Sequence, residues 1–185
     1  MTKIYELETE RLYLRQWTEA DKAPFAELTA DERVMEFFPR PLSRSESDAM
    51  VDRVQREIVQ RGWGWWAVEV KGKHRFIGFV GLNIPSADLP FNPCIETGWR
   101  LGYPYWGQGY ATEAARAALA LGFETLKLDE IVAFATLDNV RSQAVMQKLG
   151  MHRDPSTFMY PGELLEHCLY ELSRADWLAQ NPLDP

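Results

Sequence analysis

The sequence predicts a mixed α+β domain. Three observations carry this reading. Short runs of strand-type alternation, bounded by turn residues, recur along the chain, and they are interspersed with stretches of helical apolar periodicity. A length of 185 residues, with 46% hydrophobic and 12% aromatic content, suffices for one well-buried core and is short for two. The expectation is therefore one domain over residues 1–180, followed by a frayed tail over 181–185.

The elements follow in order. Arg11-Leu12-Tyr13-Leu14-Arg15 alternates apolar and polar side chains and reads as a half-buried strand. Thr18-Glu19-Ala20-Asp21 supplies a helix cap with acidic first-turn residues, and Pro39 and Pro41 close that region. Ser43 to Arg61 carries Met50, Val51, Val54, Ile58 and Val59 as the apolar stripe of a second helix, stopped at Gly62. Trp65 to Val70 and Arg75 to Leu82 are two strands joined by the turn-like Lys71-Gly72-Lys73, which makes a hairpin. Pro85 to Pro93 is a loop, and Ile95 to Leu101 a further strand.

Thr112 to Lys127 reads as a helix burying Ala115, Ala118, Leu119, Gly122 and Phe123, and Asp129 to Ala135 as a strand entering the core. Asp138-Asn139 caps a short helix over Ser142 to Leu149 that Gly150 terminates. Two strands within Met151 to Tyr160 and Leu164 to Leu172 close the series. The aromatic group Trp63, Trp65, Trp66, Phe37 and Phe38 is read mainly as core.

Charge and cysteine content narrow the function. A net charge of -7 opposes generic binding to nucleic acid, which favours a concentrated basic face, and suits a cationic substrate weakly. No signal-peptide pattern or membrane-length apolar run is visible, so a cytoplasmic protein without membrane attachment is expected. Cys94 and Cys168 are too few for a disulfide framework and lack zinc-site spacing, so reduced packing residues and no metal are expected.

Trp106-Gly107-Gln108-Gly109-Tyr110-Ala111-Thr112 concentrates the functional signal. Its two glycines lie one residue apart, between a strand and an alanine-rich helix. A helix N-terminus offers unpaired N–H groups and the positive end of the macrodipole, and glycines let phosphate oxygens approach them. A P-loop fails because no lysine follows at the required place. A dinucleotide fingerprint is a poor match, since Thr112 stands at the third glycine position and the motif begins past the midpoint. A tight turn without ligand remains the plain alternative.

Four segments together resemble a known family: Gly98-Trp99-Arg100-Leu101; Tyr105 to Ala114; Asp138-Asn139-Val140-Arg141-Ser142; and Lys148-Leu149-Gly150-Met151. In this order and separation they are similar to the GNAT superfamily of acyl-CoA-dependent N-acetyltransferases, and more narrowly to its RimJ/RimL branch. Leu7 to Arg15 and His167 to Leu172 extend the resemblance over nearly the whole chain. It implies a three-layer α+β fold: a twisted, mostly antiparallel sheet of about six to seven strands with a splayed central pair, flanked by about four helices.

The resemblance also implies roles. The splayed strand would offer backbone groups of Trp99, Arg100 and Leu101 to the pantetheine arm of acetyl-CoA, and Trp106, Gly107, Gln108, Gly109, Tyr110, Ala111 and Thr112 would cradle the pyrophosphate. The family pattern Gln/Arg-x-x-Gly-x-Gly/Ala becomes Trp106-x-x-Gly109-x-Ala111, so its first position departs. Asn139 would lie near pantetheine and Ser142 would serve the leaving thiolate, beside their plain reading as a capping pair. Glu96 is the leading general base, against an ordinary solvent-facing strand glutamate; Glu163, Glu166 and His167 are further candidates, His167 more readily as a packed residue. Phe37, Phe38 and Trp63 are the acceptor-pocket candidates.

The expected activity is direct transfer of an acetyl group from acetyl-CoA to a primary amine, on a protein N-terminus or a small molecule. The alternative is a non-catalytic acyl-CoA-binding or sensing protein. Oligomeric state is left between monomer and homodimer.

Overall fold

The computed structural model describes residues 2–182, so residues 183–185 of the expected tail lie outside the described residues. Among the described residues, eight strands and five α-helices form the fold: β1 (Leu7–Glu8), β2 (Leu12–Arg15), α1 (Lys22–Ala30), α2 (Arg44–Arg61), β3 (Trp65–Val70), β4 (His74–Asn83), β5 (Glu96–Leu101), α3 (Tyr110–Ala120), β6 (Glu130–Thr136), α4 (Val140–Lys148), β7 (His152–Met159), β8 (Glu166–Ser173) and α5 (Arg174–Gln180). The chain divides into two compact units. One gathers the residues up to Gly81 with Trp99–Ala117, and the other Leu82–Gly98 with those from Ala118 onward.

In the first unit β1, β2, β3 and β4 pair antiparallel in sequence order, with Leu12 opposite Val70 and Trp65 opposite Gly81. The C-terminal part of β5 adds to β4, where Gly102 N–H donates to Ile77 O at 2.9 Å. The core is aromatic. Trp17 meets Phe25 edge-on at 5.1 Å, Trp65 meets Phe79 at 5.2 Å, and the Trp17 indole N–H donates to Trp65 O at 2.7 Å. Trp65 and Trp66 are thus core, as their density suggested, while Trp63 is only half-buried under the Arg61 guanidinium.

Helix α2 shows why local signals sufficed here. Val51, Val54 and Ile58 bury one stripe, Gly62 ends the helix at φ 87°, and Ser43 caps the start by accepting from Glu46 N–H at 3.2 Å. Glu46 closes the capping box and binds Arg40, which holds its carboxyl down at about 2. A buried hydroxyl contact, Thr29 to Ser47 at 3.1 Å, ties α1 to α2.

In the second unit the start of β5 meets β6 in parallel at Glu96 opposite Val132. β6 pairs antiparallel with β8 from Glu130↔Ser173 to Thr136↔His167, and β7 lies on the other side of β8. The mixed α+β class holds, with two more elements than the pattern had suggested. β1 is only two residues long, and α5 is short. α5 is held by tertiary contact: Trp177 stacks on Phe123 at 5.7 Å and its indole N–H donates to Glu124 at 2.9 Å.

Helix α3 starts at Tyr110, two residues earlier than Thr112, and ends in a wide π-type turn over Leu121–Thr125. Gly122 occurs in that turn because a Cβ there would stand 2.6 Å from Ile131 Cδ1. Among the described residues no helix is long and apolar enough to cross a membrane.

Candidate active site

The glycine turn forms as its sequence requires. Gly107 and Gly109 adopt φ 71° and 80°, a region that side-chain-bearing residues rarely occupy. At Gly107 a Cβ would meet nothing within 4 Å, so conformation rather than space selects glycine. Trp106 braces the turn from below, its indole N–H donating to Leu101 O at 2.8 Å, and the Gln108 amide donates to Pro104 O at 3.1 Å. A tryptophan at the departing motif position is therefore a structural brace.

The first turn of α3 opens at this bend. Glu113 N–H makes the first intrahelical bond, to Gly109 O at 3.0 Å, so the preceding N–H groups are those a helix leaves without an internal acceptor. Gly107, Gln108 and Gly109 are exposed, and Ala111 and Thr112 half-exposed, so an anion can reach them.

Sequence reasoning assigned no role to Arg11, and the structure places it against this turn. Its Nε donates to Glu113 at 2.6 Å, its backbone N–H to the same carboxylate at 2.9 Å, and its Nη1 to Gln108 O at 2.9 Å. The guanidinium also lies over the Tyr110 ring at 4.7 Å, and Thr9 Oγ1 donates to Glu113 at 2.6 Å. Glu113 is held below the usual carboxylate range; burial opposes the shift, and bonds from Thr9 and Arg11 outweigh it. This clamp ties the N-terminal segment to the turn and brings a positive charge beside it. The only sequence signal was the family likeness at Thr9 to Arg11 and Glu113.

Of the other first-unit candidates, Leu101 is buried and Trp99 half-buried on β5. Arg100 and Phe38 are brought together, the guanidinium 4.1 Å from the ring centroid, while Phe37 is half-buried beside them in sequence.

In the second unit Glu96 is not the solvent-facing glutamate that the plain reading allowed. It is half-buried, and the Asn83 amide donates to its Oε1 at 2.9 Å. Burial pushes its carboxyl up to about 7, with the Asn83 hydrogen bond pulling the other way. A carboxyl that exchanges its proton near neutrality is matched to general-base work.

Asn139 caps α4, accepting from Ser142 N–H at 3.1 Å, so the capping pair exists as such. The Ser142 side chain, half-buried in the first turn, remains compatible with a second task. His167 is packed, as expected. It is 6% exposed between Phe158 and Tyr160, and its Nδ1 lies 2.9 Å from the Leu165 carbonyl, which can only accept, so Nδ1 carries the proton. Its Nε2 is 3.4 Å from Glu163, whose carboxyl burial raises and His167 partly restores. Glu166 is exposed and accepts from Thr157 Oγ1. The rings of Phe91, Phe134, Phe158 and Tyr160 form a cluster at this end that the sequence did not single out.

Neither cysteine is prepared to carry an acyl group. Burial pushes the Cys94 thiol up to about 11, and burial also raises Cys168. Thiolate is the nucleophilic form, so both are poor nucleophiles at neutral pH. Among the described residues no group of three or more His, Cys, Asp or Glu is arranged to hold a metal ion.

Known proteins share this fold. The family model described as an acetyltransferase (GNAT) domain matches residues 11–152. The chain is 31% identical over 148 residues to YkkB of Bacillus subtilis (strain 168), an uncharacterized protein, covering 80% of this chain and 85% of that one. The crystal structure of a GNAT-family acetyltransferase from Bacillus anthracis superposes with a TM-score of 0.77 at 25% identity, covering 92% of this chain and 99% of that one. The ribosomal-protein-S5-alanine acetyltransferase of Vibrio fischeri shares the fold, with a TM-score of 0.72 at 21% identity over 94% of this chain and 98% of that one. A family match over well more than half of the chain assigns the protein: it belongs to the GNAT acetyltransferase family and is an acyltransferase that transfers acetyl groups.

Proposed function

We propose that this acyltransferase uses acetyl-CoA and transfers the acetyl group directly to a primary amine, with Glu96 as the general base. The observation that carries the proposal is the Glu96 carboxyl itself, half-buried, hydrogen-bonded by Asn83 and raised to about 7.

The chain's residues fit the donor. The turn Trp106 to Thr112, exposed at Gly107 to Gly109, presents first-turn N–H groups and the Arg11 charge to a pyrophosphate, and Trp99, Arg100 and Leu101 supply strand backbone for the pantetheine arm. The family resemblance assigns Asn139, the cap of α4, to that arm as well. Acetyl-CoA, when bound, supplies a thioester carbonyl to an attacking amine.

Glu96 accepts the amine proton as the new N–C bond forms and the C–S bond breaks. The electron pair of that bond leaves on sulfur, where the Ser142 hydroxyl donates a hydrogen bond until a proton arrives. No acyl-enzyme is needed, consistent with two cysteines whose thiols burial keeps protonated. Phe37, Phe38 and Trp63 line the acceptor side, and the acceptor is a primary amine on a peptide N-terminus or a small molecule.

The test measures thiol release from acetyl-CoA across a panel of amines and peptide N-termini, beside calorimetric binding of acetyl-CoA. Turnover on some acceptor with no acetylated enzyme in intact-mass spectra is expected. Tight binding without turnover on any amine overturns the proposal in favour of an acyl-CoA-binding protein.

A further inference from the structure

Arg100 is a half-buried cation without a counter-charge. It lies near the end of β5, and its guanidinium rests on aromatic faces, 4.1 Å from the Phe38 centroid and 5.5 Å from that of Phe79. Its Nη1 is 4.0 Å from the Met50 sulfur, a weak acceptor, and its buried Nε has no hydrogen-bond partner. Among the described residues no carboxylate pairs with it, and the charged group that does act on it, Arg53, has the same sign.

Other arginines of this unit are treated differently. Arg15 binds Asp21 and Glu69, Arg11 binds Glu113, and Arg40 binds Glu46. A guanidinium taken from water normally requires an ion pair or several hydrogen bonds, because its five N–H donors otherwise lose their solvation uncompensated. Burial pulls the Arg100 group down to about 10, so it is still a cation at neutral pH. The ring above it, Phe38, is itself 39% exposed, so part of it is open to a ligand.

A guanidinium with an unpartnered Nε and no counter-charge, beside a partly exposed ring, fits one kind of ligand, a carboxylate that binds the fork and carries an apolar group to cover the ring. We infer that Arg100 and Phe38 recognise the acceptor, and that the acceptor is a primary amine bearing a carboxylate next to an apolar portion, in the manner of an amino acid or a short acidic peptide. The inference rests on the acetyl-transfer reading for the words "acceptor" and "amine", but the anion site stands on the geometry of Arg100 alone. Phosphate groups of acetyl-CoA share the anionic chemistry and are the source to be told apart.

The experiment compares aminoalkyl and aminoaryl carboxylates with their carboxamides as acceptors, for the native chain, Arg100→Met and Arg100→Lys. In parallel, calorimetry follows binding of the N-acetylated carboxylates and of acetyl-CoA, and circular dichroism checks folding of each variant. The native chain should show at least a tenfold lower KM for carboxylates. Arg100→Met should abolish that preference and the binding of the N-acetylated carboxylates, and Arg100→Lys should restore part of both.

Equal KM for carboxylates and carboxamides, with turnover intact, overturns the inference and leaves the acetyl-transfer reading standing. A tenfold loss of acetyl-CoA affinity in Arg100→Met with the carboxylate preference unchanged also overturns it, and assigns the cation to the donor's phosphates. Arg100-dependent carboxylate binding with no turnover on any amine supports the anion site and removes the acetyl-transfer reading instead. If Arg100→Met does not fold, the Arg100→Lys comparison and the native KM ratio decide alone.

Discussion

The two ends of β5 bury opposite charges in opposite company. Glu96, at the first end, keeps a polar partner in the Asn83 amide, and burial lifts its carboxyl to about 7. Arg100, near the last, has rings and a sulfur for neighbours, and burial lowers its guanidinium to about 10. Desolvation acts on both toward the neutral form, but from starting points on different sides of neutrality. The carboxyl arrives where protons exchange under ordinary conditions, whereas the guanidinium stays charged. One end is therefore suited to moving a proton and the other to holding an anion.

Exchanging charge for shape at the first end should have the largest effect. Glu96→Gln keeps the size and the Asn83 contact and removes the base, so kcat/KM at pH 7 should fall by about 10²- to 10⁴-fold. In the native chain kcat/KM should rise with pH through an inflection near 7, because the ionised carboxylate is the active form. Steady-state profiles should show that inflection lost in the variant, and an unchanged profile would break the assignment.

Stability carries the same sign in reverse. A carboxyl raised in the folded state binds protons more tightly there than in the unfolded chain, so its contribution declines as pH climbs from the ordinary carboxylate range through about 7. Denaturant unfolding of the native chain relative to Glu96→Gln should show that decline.

The next largest effect lies outside the strand and isolates donor binding from both ends. Gly109→Asp forces a side chain onto a backbone at φ 80°, beside the Arg11 guanidinium, and adds negative charge to the phosphate turn. Acetyl-CoA affinity by calorimetry should fall about 10- to 100-fold while the far-ultraviolet circular dichroism is retained. Affinity within a factor of two of native would remove the pyrophosphate role from the turn.

At the other end of β5, Arg100→Met replaces an unpaired, half-buried cation with a flexible apolar chain of similar length. The variant should be more stable by about 1–4 kcal/mol in urea unfolding. A loss of stability would mean that the contacts with Phe38 and Phe79 outweigh the cost of desolvation, and the two ends would then be alike. The smallest effect is Asn83→Leu. The amide favours the charged form of Glu96, so removing it should move the kinetic inflection upward from about 7, and a downward shift would show that Asn83 holds the neutral carboxyl instead.

Much of the fold was legible because its signals are short-range. The helix beginning at Ser43, the Gly62 stop, the hairpin around Gly72 and the Asn139 cap each depend on residues a few positions apart, and each lies where the pattern put it. Helix α5 was not legible. It is a seven-residue segment whose order comes from Trp177 against Phe123 and Glu124, about 50 residues away in the chain. The glycine turn belongs to the readable part, since positive φ at Gly107 and Gly109 is a local demand. Its brace by Trp106 and its clamp by Arg11 do not, because nothing in a tryptophan or an arginine announces its partner.

By itself, then, the sequence determined the order and type of most elements, the glycine turn ahead of α3 and, through its likeness to a family, acetyl transfer. Those properties depend on backbone preferences and on neighbours within a turn of helix or a hairpin. Only the tertiary structure decided that Glu96 is shielded enough to titrate near 7, that Arg100 is left without a carboxylate, and that Arg11 reaches Glu113 across 102 positions. The reason is physical: desolvation and charge pairing depend on which atoms surround a group in space, and residues far apart along the chain supply most of those atoms.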